Sequence, residues 1–411
     1  MNIDTAINIQ DLRTLARRRL PRVIYEYLEG GAEDEITLRH SRNAFDDIRF
    51  IPRVTAGYPS PDLSTTLFGE SLSFPAVVGP TGMNGIFHRH ADLALACAAE
   101  QAGMAFALAT ASNDSIETVG AASKGVKWFQ LYPWGDRHVW KRLLERARAT
   151  GFSCLVLTVD TPVPGNRERD RRNHFAHDVT ITPRTVVDGL LHPAWLWSVW
   201  LKGVPRFENL LEFVHPKATI HDIAAFTRKH RHPGLSWDDV ADIRHMWDGP
   251  FLIKGVLSPA DARKAERIGA DGLVVSNHGG RQLDGAISTL EALEAIADAV
   301  GGRLTLLADG GFRRGGDIVK ALALGASAVV LGRAPLYGVS AAGVAGASRA
   351  LQILKEETAR VMTLLGCGSV QTLSPDYLLT PYQQRRPSCN CSISLADTCS
   401  REPPPSPPQD S

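Results

Sequence analysis

The sequence has little cysteine, no surplus of one charge and no long apolar run, and each absence narrows what the protein can be. Lysine and arginine number 45 against 44 aspartates and glutamates, so no basic field draws the chain to nucleic acid. No stretch of about 18 apolar residues occurs, and the N-terminal segment lacks the apolar core of a signal peptide. We therefore expect no spanning helix and a cytoplasmic location.

The six cysteines do not form the pattern of a disulfide-bonded scaffold. Three stand alone in apolar segments, as reduced thiols of a cytosolic core do: Cys97, Cys154 and Cys367. The others lie in residues 381–411, a tail rich in proline and cysteine that is expected to be disordered. Its CxC at Cys389 and Cys391 has no histidine or second cysteine pair nearby, so no metal site is expected.

What the sequence does contain is a regular alternation of short apolar runs and amphipathic helical patterns, which is typical of βαβ units and a parallel sheet. Eight runs are candidate strands: residues 74–78, 105–109, 126–131, 154–159, 251–253, 272–275, 304–308 and 328–331. Eight strands favour an α/β fold of the (β/α)8 or TIM barrel type, preceded by an N-terminal helical cap. A doubly wound sheet is the alternative, but the GxGxxG expected after its first strand is absent.

One gap breaks the alternation, because about ninety residues separate the fourth and fifth candidate strands, far more than an ordinary connection. We assign residues 177–230 to an inserted loop within a barrel domain of residues 1–380. Three tryptophans fall close together in it, at positions 195, 197 and 200. Apolar residues with interfacial tryptophan and flanking basic residues predict a membrane-binding segment over residues 186–215. The alternative is a hydrophobic patch buried against the barrel or a neighbouring subunit.

The run after the sixth strand, residues 276–285, has the composition of a functional site. Within ten residues it carries His278, Arg281, Asp284 and three glycines, directly after a buried strand. An isolated histidine in a polar turn is usually structural, but this density of reactive and backbone-permissive residues at a strand end favours function. Active sites of barrels lie at the carboxyl ends of the strands.

The ends of the seventh and eighth strands predict a phosphate site. Gly310, Gly311 and Gly332 would let backbone N–H groups approach a phosphate closely, and Arg313 or Arg333 would supply positive charge. A phosphate-bearing cofactor is the expected occupant, with a phosphorylated substrate as the alternative.

Five motifs together resemble those of the FMN-dependent 2-hydroxy-acid dehydrogenase and oxidase family, over about residues 8–380. They are SNHGGRQLDG at 276–285, LTVDTP at 157–162, FQLY at 129–132, LIKG at 252–255 and DGGFRRG at 309–315. Residues 25–35, 79–85, 188–193 and 373–378 look most like the membrane-associated (S)-mandelate dehydrogenases, and L-lactate dehydrogenases come next. The resemblance implies FMN as cofactor and a homo-tetramer.

The resemblance also implies a role for each site residue. His278 would be the base, and Asp160 would orient it and stabilise its charge. The substrate would be bound by Tyr27, Tyr132, Arg167 and Arg281. Lys254, at a buried strand end where a cation needs an anion, would lie by the flavin ring. The remaining flavin contacts would come from Pro80, Thr81, Gly82, Gln130, Thr158, Ser276, Asp309, Gly310, Gly311, Phe312, Arg313, Gly332 and Arg333. Hydride and carbanion routes both need this base.

Two residues depart from the family pattern. Ala109 stands where many relatives have a flavin-contacting serine, so one flavin hydrogen bond is absent or comes from Thr110. Gly82 stands where typical oxidases have alanine, which favours a membrane quinone or another acceptor over oxygen. The expected reaction is oxidation of (S)-mandelate to phenylglyoxylate by a protein peripheral to the inner face of the cell membrane. The alternatives are L-lactate or a broad range of 2-hydroxy acids and, in another class, a flavin-barrel isomerase or non-catalytic flavin binder.

Overall fold

The computed structural model describes residues 2–57, 60–175, 182–232 and 234–380, and its centre is a closed barrel of eight parallel strands. The strands are β1 Arg49–Phe50, β2 Thr65–Leu67, β3 Glu70–Leu72, β4 Ala76–Val78, β5 Ala105–Ala109, β6 Lys127–Leu131, β7 Cys154–Thr158, β8 Phe251–Val256, β9 Gly272–Val275, β10 Thr305–Asp309, β11 Ala328–Leu331 and β12 Leu378–Leu379. Strands β4 to β11 follow one another round the barrel, and β11 closes it by pairing with β4.

Helices surround the barrel and cap it. They are α1 Ile9–Arg19, α2 Arg22–Glu29, α3 Ile36–Asp47, α4 Ala91–Gln101, α5 Ile116–Ala122, α6 Arg137–Ala149, α7 Glu168–Arg172, α8 Pro183–Leu190, α9 Pro193–Trp195, α10 Ile220–Lys229, α11 Trp237–His245, α12 Pro259–Arg267, α13 Thr289–Val300, α14 Gly315–Ala323 and α15 Arg333–Leu365. Helices α1 to α3 precede the barrel, and α7 to α11 lie between β7 and β8. The predicted (β/α)8 barrel with an N-terminal cap and a long insertion is therefore confirmed.

The predicted strands match the observed ones with small shifts at the ends. The first begins at Ala76 rather than at residue 74, because Pro75 has no N–H to donate to a neighbouring strand. The seventh runs one residue later than predicted and ends in Asp309. That shift matters for function because it puts a carboxylate at the very end of a barrel strand.

Alternate residues of each strand pack on opposite sides of the sheet and form two cores. The inner core fills the barrel with side chains such as Val77, Trp128 and Leu252, and the outer core packs the strands against the helices. Leu67 and Leu72 of the β2–β3 hairpin join the inner core and close the amino end of the barrel. The carboxyl end of the barrel is therefore left for a site.

The inserted segment has one buried and one exposed apolar side. Trp195 and Val199 are buried, and the Trp195 indole donates to the Ile86 carbonyl oxygen at 2.6 Å. Leu191 and Trp197 are 73% and 68% exposed. Among the described residues, no helix is long and apolar enough to cross a bilayer. The tail 381–411, predicted to be disordered, lies outside the described residues.

Candidate active site

A cavity of about 580 Å³ opens at the carboxyl end of the barrel. Nearly all the residues predicted for the site line it: Tyr27, Pro80, Thr81, Gly82, Gln130, Tyr132, Thr158, Arg167, Lys254, His278, Arg281, Asp309, Gly310, Gly311, Phe312, Arg313, Gly332 and Arg333. The other two predicted residues, Asp160 and Ser276, lie directly behind the wall, where they contact His278 and Lys254. Residues far apart in the sequence thus meet in one chamber.

His278 is held in a strained turn that aims its ring at the cavity. Its φ is +55°, and Gly279 and Gly280 continue the left-handed conformation at +62° and +74°. A non-glycine residue there is uncommon and persists only where the surroundings enforce it. Its backbone N–H donates to the Ser276 hydroxyl at 3.0 Å, and its Nδ1 donates to the Asp160 Oδ1 at 2.9 Å. With Nδ1 carrying the proton, Nε2 keeps the lone pair that a base needs.

Asp160 is buried but remains a carboxylate. Burial alone would raise its pKa, yet the nearby charges of His278 and Lys254 outweigh burial and lower the pKa below the ordinary value. Gly255 makes this position possible, because a Cβ on it would lie 2.5 Å from the Asp160 Cβ. The glycine of the LIKG motif, for which the sequence indicates no role, therefore leaves room for the carboxylate behind the histidine.

The two arginines predicted to bind the substrate lie beside the ring of Tyr27. The partly buried Arg281 donates from Nη1 to the carbonyl oxygens of Tyr27 and Gly30, at 2.9 and 2.8 Å. Its guanidinium lies 5.0 Å from the Tyr27 ring centroid and that of Arg167 lies 5.5 Å from it. Arg167 Nε is 2.9 Å from Asp170 Oδ2, close enough for an ion pair but poorly aligned for a hydrogen bond. Two guanidinium groups at one aromatic ring suit a carboxylate ligand.

Lys254 places a fixed positive charge in the cavity. Its Nζ lies 2.7 Å from Asp309 Oδ2 and donates to the Ser276 hydroxyl at 2.8 Å. Burial opposes the charge, but the carboxylates of Asp309 and Asp160 outweigh burial and raise the pKa of Lys254. The ammonium group therefore stays protonated and can stabilise negative charge that develops beside it.

The chamber fits FMN because buried polar atoms in its wall are free to hydrogen-bond a polar cofactor. Gln130 donates from Nε2 to the Thr158 hydroxyl at 2.9 Å, while its Oε1 is buried and, among the described residues, has no hydrogen-bond partner. Asp309 Oδ1 is likewise buried and has no hydrogen-bond partner among the described residues. Gly310 and Gly311 have φ of +93° and +85°, and a Cβ on Gly332 would meet no atom nearer than 4.0 Å. A polar ring and a phosphate chain can therefore approach the backbone here.

The two arginines at the predicted phosphate end differ in how they are held. Arg333 donates through Nε and both Nη atoms to the carbonyl oxygens of Leu28, Gly279 and Gly30, each at 3.0 Å. Burial, reinforced by the charge of Arg281, lowers the pKa of Arg333 to about 10. Arg313 donates to its neighbour's carbonyl and to the Tyr337 hydroxyl. Arg333 therefore also ties the cap to the barrel, a role that the sequence did not indicate.

Three polar side chains near the site bond to the protein itself. The Thr110 hydroxyl donates to the Gln130 carbonyl oxygen at 2.7 Å and accepts from the Tyr132 N–H at 3.0 Å, so its only proton is already engaged. Gln282 supports the turn, because its amide donates to the Asp160 carbonyl oxygen and accepts from the Gly165 N–H. The Asp284 carboxylate accepts the first N–H groups of α3.

Sequence reasoning missed one wall of the cavity. Helix α10, from the inserted segment, presents His221, Ala224 and Arg228, and Arg231 follows its last turn. Steps of three and four residues put all four on one side of a helix, and that spacing was visible in the sequence. The spacing alone does not show that this side of the helix faces the barrel, because most amphipathic helices present such a side to solvent.

A parallel barrel that joins a histidine–carboxylate pair, two arginines and a buried lysine to a glycine-lined polar chamber is the construction of a flavoenzyme that takes a proton from an anionic substrate. The matching family model, described as FMN-dependent dehydrogenase, covers residues 16–380. The chain belongs to this family and is an FMN-dependent 2-hydroxy-acid dehydrogenase, as predicted.

Curated relatives and solved structures agree. The chain is 43% identical over 376 residues to an L-lactate dehydrogenase of Pectobacterium atrosepticum, covering 91% of this chain and 97% of that protein. A monotopic membrane (S)-mandelate dehydrogenase is 41% identical with a TM-score of 0.88, covering 92% of this chain and all of the other. A soluble mutant of the membrane-associated enzyme from Pseudomonas putida is 40% identical with a TM-score of 0.80, over 92% and 100% of the two chains. Family membership sets aside the isomerase and simple-binder alternatives.

Proposed function

We propose that this enzyme oxidises (S)-mandelate to phenylglyoxylate, with L-lactate as the second candidate, and passes the electrons to a membrane quinone. The observation that carries the chemistry is the His278–Asp160 pair, 2.9 Å apart, facing a chamber that also holds Arg281 and Arg167. Aromatic side chains in the same chamber, Trp134 and Phe207 among them, favour an aryl substituent over the methyl group of lactate.

The proposed mechanism divides the work among residues of this chain. Arg281 and Arg167 bind the substrate carboxylate, and Tyr27 and Tyr132 contact the carboxylate and the hydroxyl oxygen. His278 Nε2 takes the substrate proton, and Asp160 stabilises the imidazolium that results. Bound FMN supplies the two-electron acceptor.

The flavin would be held by residues from every part of the chamber. Pro80, Gly82, Gln130 and Thr158 would contact the ring system, and Lys254 would offset negative charge on it. The backbone from Gly310 to Arg313, together with Gly332, would hold the ribityl chain and phosphate.

Anaerobic addition of substrate to the purified yellow protein tests this proposal. Its absorbance should bleach fastest with (S)-mandelate, more slowly with L-lactate and not with (R)-mandelate. His278→Gln should keep the FMN spectrum and lose nearly all of the bleaching, because a glutamine cannot take the proton. Absence of a flavin spectrum after reconstitution with FMN, or normal bleaching in the glutamine variant, would refute the mechanism.

We further propose that the exposed apolar side of the insertion docks on the inner face of the cell membrane. Leu191 and Trp197 would supply the apolar surface that enters the membrane, while the buried Trp195 and Val199 anchor the segment to the barrel. The similar (S)-mandelate dehydrogenases, one a monotopic membrane protein and one a soluble mutant of a membrane-associated enzyme, support this proposal. A surface-bound enzyme could deliver electrons to a quinone directly.

Vesicle co-sedimentation tests the docking. The double variant Leu191→Glu and Trp197→Glu should stay in the supernatant with flavin reduction preserved. Leu364→Glu is the matched control, because Leu364 is 70% exposed but lies on α15, outside the insertion. Unchanged sedimentation of the double variant would contradict the proposal. Light scattering of the purified protein tests the homo-tetramer that the family resemblance implies.

A further inference from the structure

The wall of the cavity contributed by α10 carries positive charge that the mechanism does not use. His221 and Arg228 are exposed at the rim, Thr227 is buried, and Arg231 is half-buried where the helix ends. All face the chamber that holds the two arginines assigned to the substrate carboxylate. A cation facing a substrate chamber from an inserted segment points to recognition of the substrate rather than to the chemistry common to the fold.

Packing at the end of α10 fixes where Arg231 lies. The Gly135 N–H donates to the His230 carbonyl oxygen at 2.8 Å, which ties the helix end to the loop after β6. On one side of Arg231 the His230 ring stacks on Phe226 at 4.6 Å, and on the other the His232 ring packs edge-on against Trp140 at 5.5 Å. The backbone at Arg231 is thereby held next to the loop after β6, which contains Tyr132.

Arg231 has no anionic partner in the part of the chain that the structure describes. No carboxylate among the described residues hydrogen-bonds or ion-pairs with it, and the charged or titratable groups that act on it are Tyr132 and Arg167. Burial, with the repulsion of Arg167, lowers its pKa. Holding a half-buried guanidinium beside a second one costs free energy unless an anion joins them. A monoanionic acid already has Arg281 and Arg167, so Arg231 is one cation more than it requires.

We infer that the preferred substrate is a 2-hydroxy acid whose side chain ends in a second anionic group, which Arg231 binds while Arg281 and Arg167 hold the carboxylate at the reacting carbon. This inference rests on the proposed function and narrows its substrate class from mandelate-like acids to those with an acidic far end. The exposed Arg228 at the rim would attract such a dianion.

Paired substrates of similar size test the inference. The holoenzyme is reduced anaerobically with 4-carboxymandelate and 4-methylmandelate, and again with (S)-2-hydroxyglutarate and (S)-2-hydroxyhexanoate. We expect kcat/KM for at least one dianion to exceed that of its monoanionic partner about 10- to 100-fold, as a charge-assisted hydrogen bond provides. Arg231→Gln should cut this ratio at least tenfold, mostly through KM, and Arg231→Lys should restore most of it.

Lys229→Gln is the matched control, because Lys229 is exposed at the end of α10, two residues before Arg231, carries the same charge and does not line the cavity. It should leave the ratio unchanged. Flavin absorbance and Tm confirm that each variant is folded. Equal rates for the paired substrates, or a ratio unmoved by Arg231→Gln, would overturn the inference while leaving the proposed function intact. An effect of Arg231→Gln confined to flavin reoxidation would also overturn it, since the anion would then belong to the electron acceptor. Failure of every 2-hydroxy acid to reduce the flavin would instead defeat the proposed function.

Discussion

Replacing Asp160 by asparagine should slow flavin reduction strongly without emptying the site. The Asp160 carboxylate lies 2.9 Å from His278 Nδ1, and the two side chains are 15% and 21% exposed. At an effective dielectric constant of about 20, a carboxylate and an imidazolium at that separation attract by about 6 kcal/mol. Solvent screening and the dipole that asparagine retains reduce the stabilisation lost in the variant to roughly half of this attraction. The loss is then about 3 kcal/mol, which corresponds to about 100-fold in rate.

Stopped-flow measurement of the anaerobic reduction rate gives the test, with flavin content and Tm as controls. If Asp160 acts through His278, the double variant Asp160→Asn with His278→Gln should be no slower than His278→Gln alone. A rate for Asp160→Asn within about threefold of the parent would refute the argument, because the attraction estimated from the 2.9 Å contact would then be absent. Losses of reduction rate from the two substitutions that add up in the double variant would also show that Asp160 does not act through His278.

Three further predictions concern the arginine that would bind the substrate carboxylate, the glycine backbone near the predicted phosphate site, and the pH dependence of stability. Arg281→Met should weaken substrate binding about 100-fold by removing charge-assisted hydrogen bonds, which the half-saturation of flavin reduction measures. Gly311→Ala should lower Tm and FMN affinity more than Gly302→Ala does: both have positive φ, but a Cβ on Gly311 would lie 2.5 Å from the Ser41 carbonyl oxygen, whereas one on Gly302 meets nothing within 4 Å. Burial, then repulsion by Asp114, raises the pKa of Asp92 to about 7. Between about pH 4 and 7 the folded state therefore holds a proton that the unfolded state releases, and stability falls as pH rises through this window. The free energy of unfolding, measured with urea, should differ less between pH 5 and pH 8 in Asp92→Asn than in the parent protein.

Strands and their functional ends were predictable because both depend on local pattern. Apolar runs of three to six residues mark buried parallel strands, and the residues that follow them are brought together by the closure of the barrel. This is why the sequence alone assigns His278, Lys254 and Gly310, at the carboxyl ends of three different strands, to one site. Asp309 was found by its motif, although its strand was placed one residue too early.

What escaped prediction depends on distances through space rather than along the chain. Nothing in the LIKG motif says that Gly255 must clear room for Asp160, because the two residues belong to neighbouring strands. Arg333 was expected at a phosphate, yet its donors reach the carbonyl oxygens of a helix three hundred residues earlier. Arg231 sits after a helix of the insertion, whose direction relative to the barrel the sequence pattern does not determine.

The attachment of the first helices to the last ones has a consequence for synthesis. Arg349 on α15 donates to the carbonyl oxygen of Ala6, 343 residues earlier, and Arg333 holds the end of α2. At about 5 to 20 residues per second, the amino-terminal segment leaves the ribosome roughly 20 to 70 s before its partner exists. During that time the apolar stripe formed by Ile9, Leu12 and Ala16 has nothing to cover it. A nascent chain of this protein therefore offers chaperones a binding site at its very start, and release from them must await the synthesis of α15.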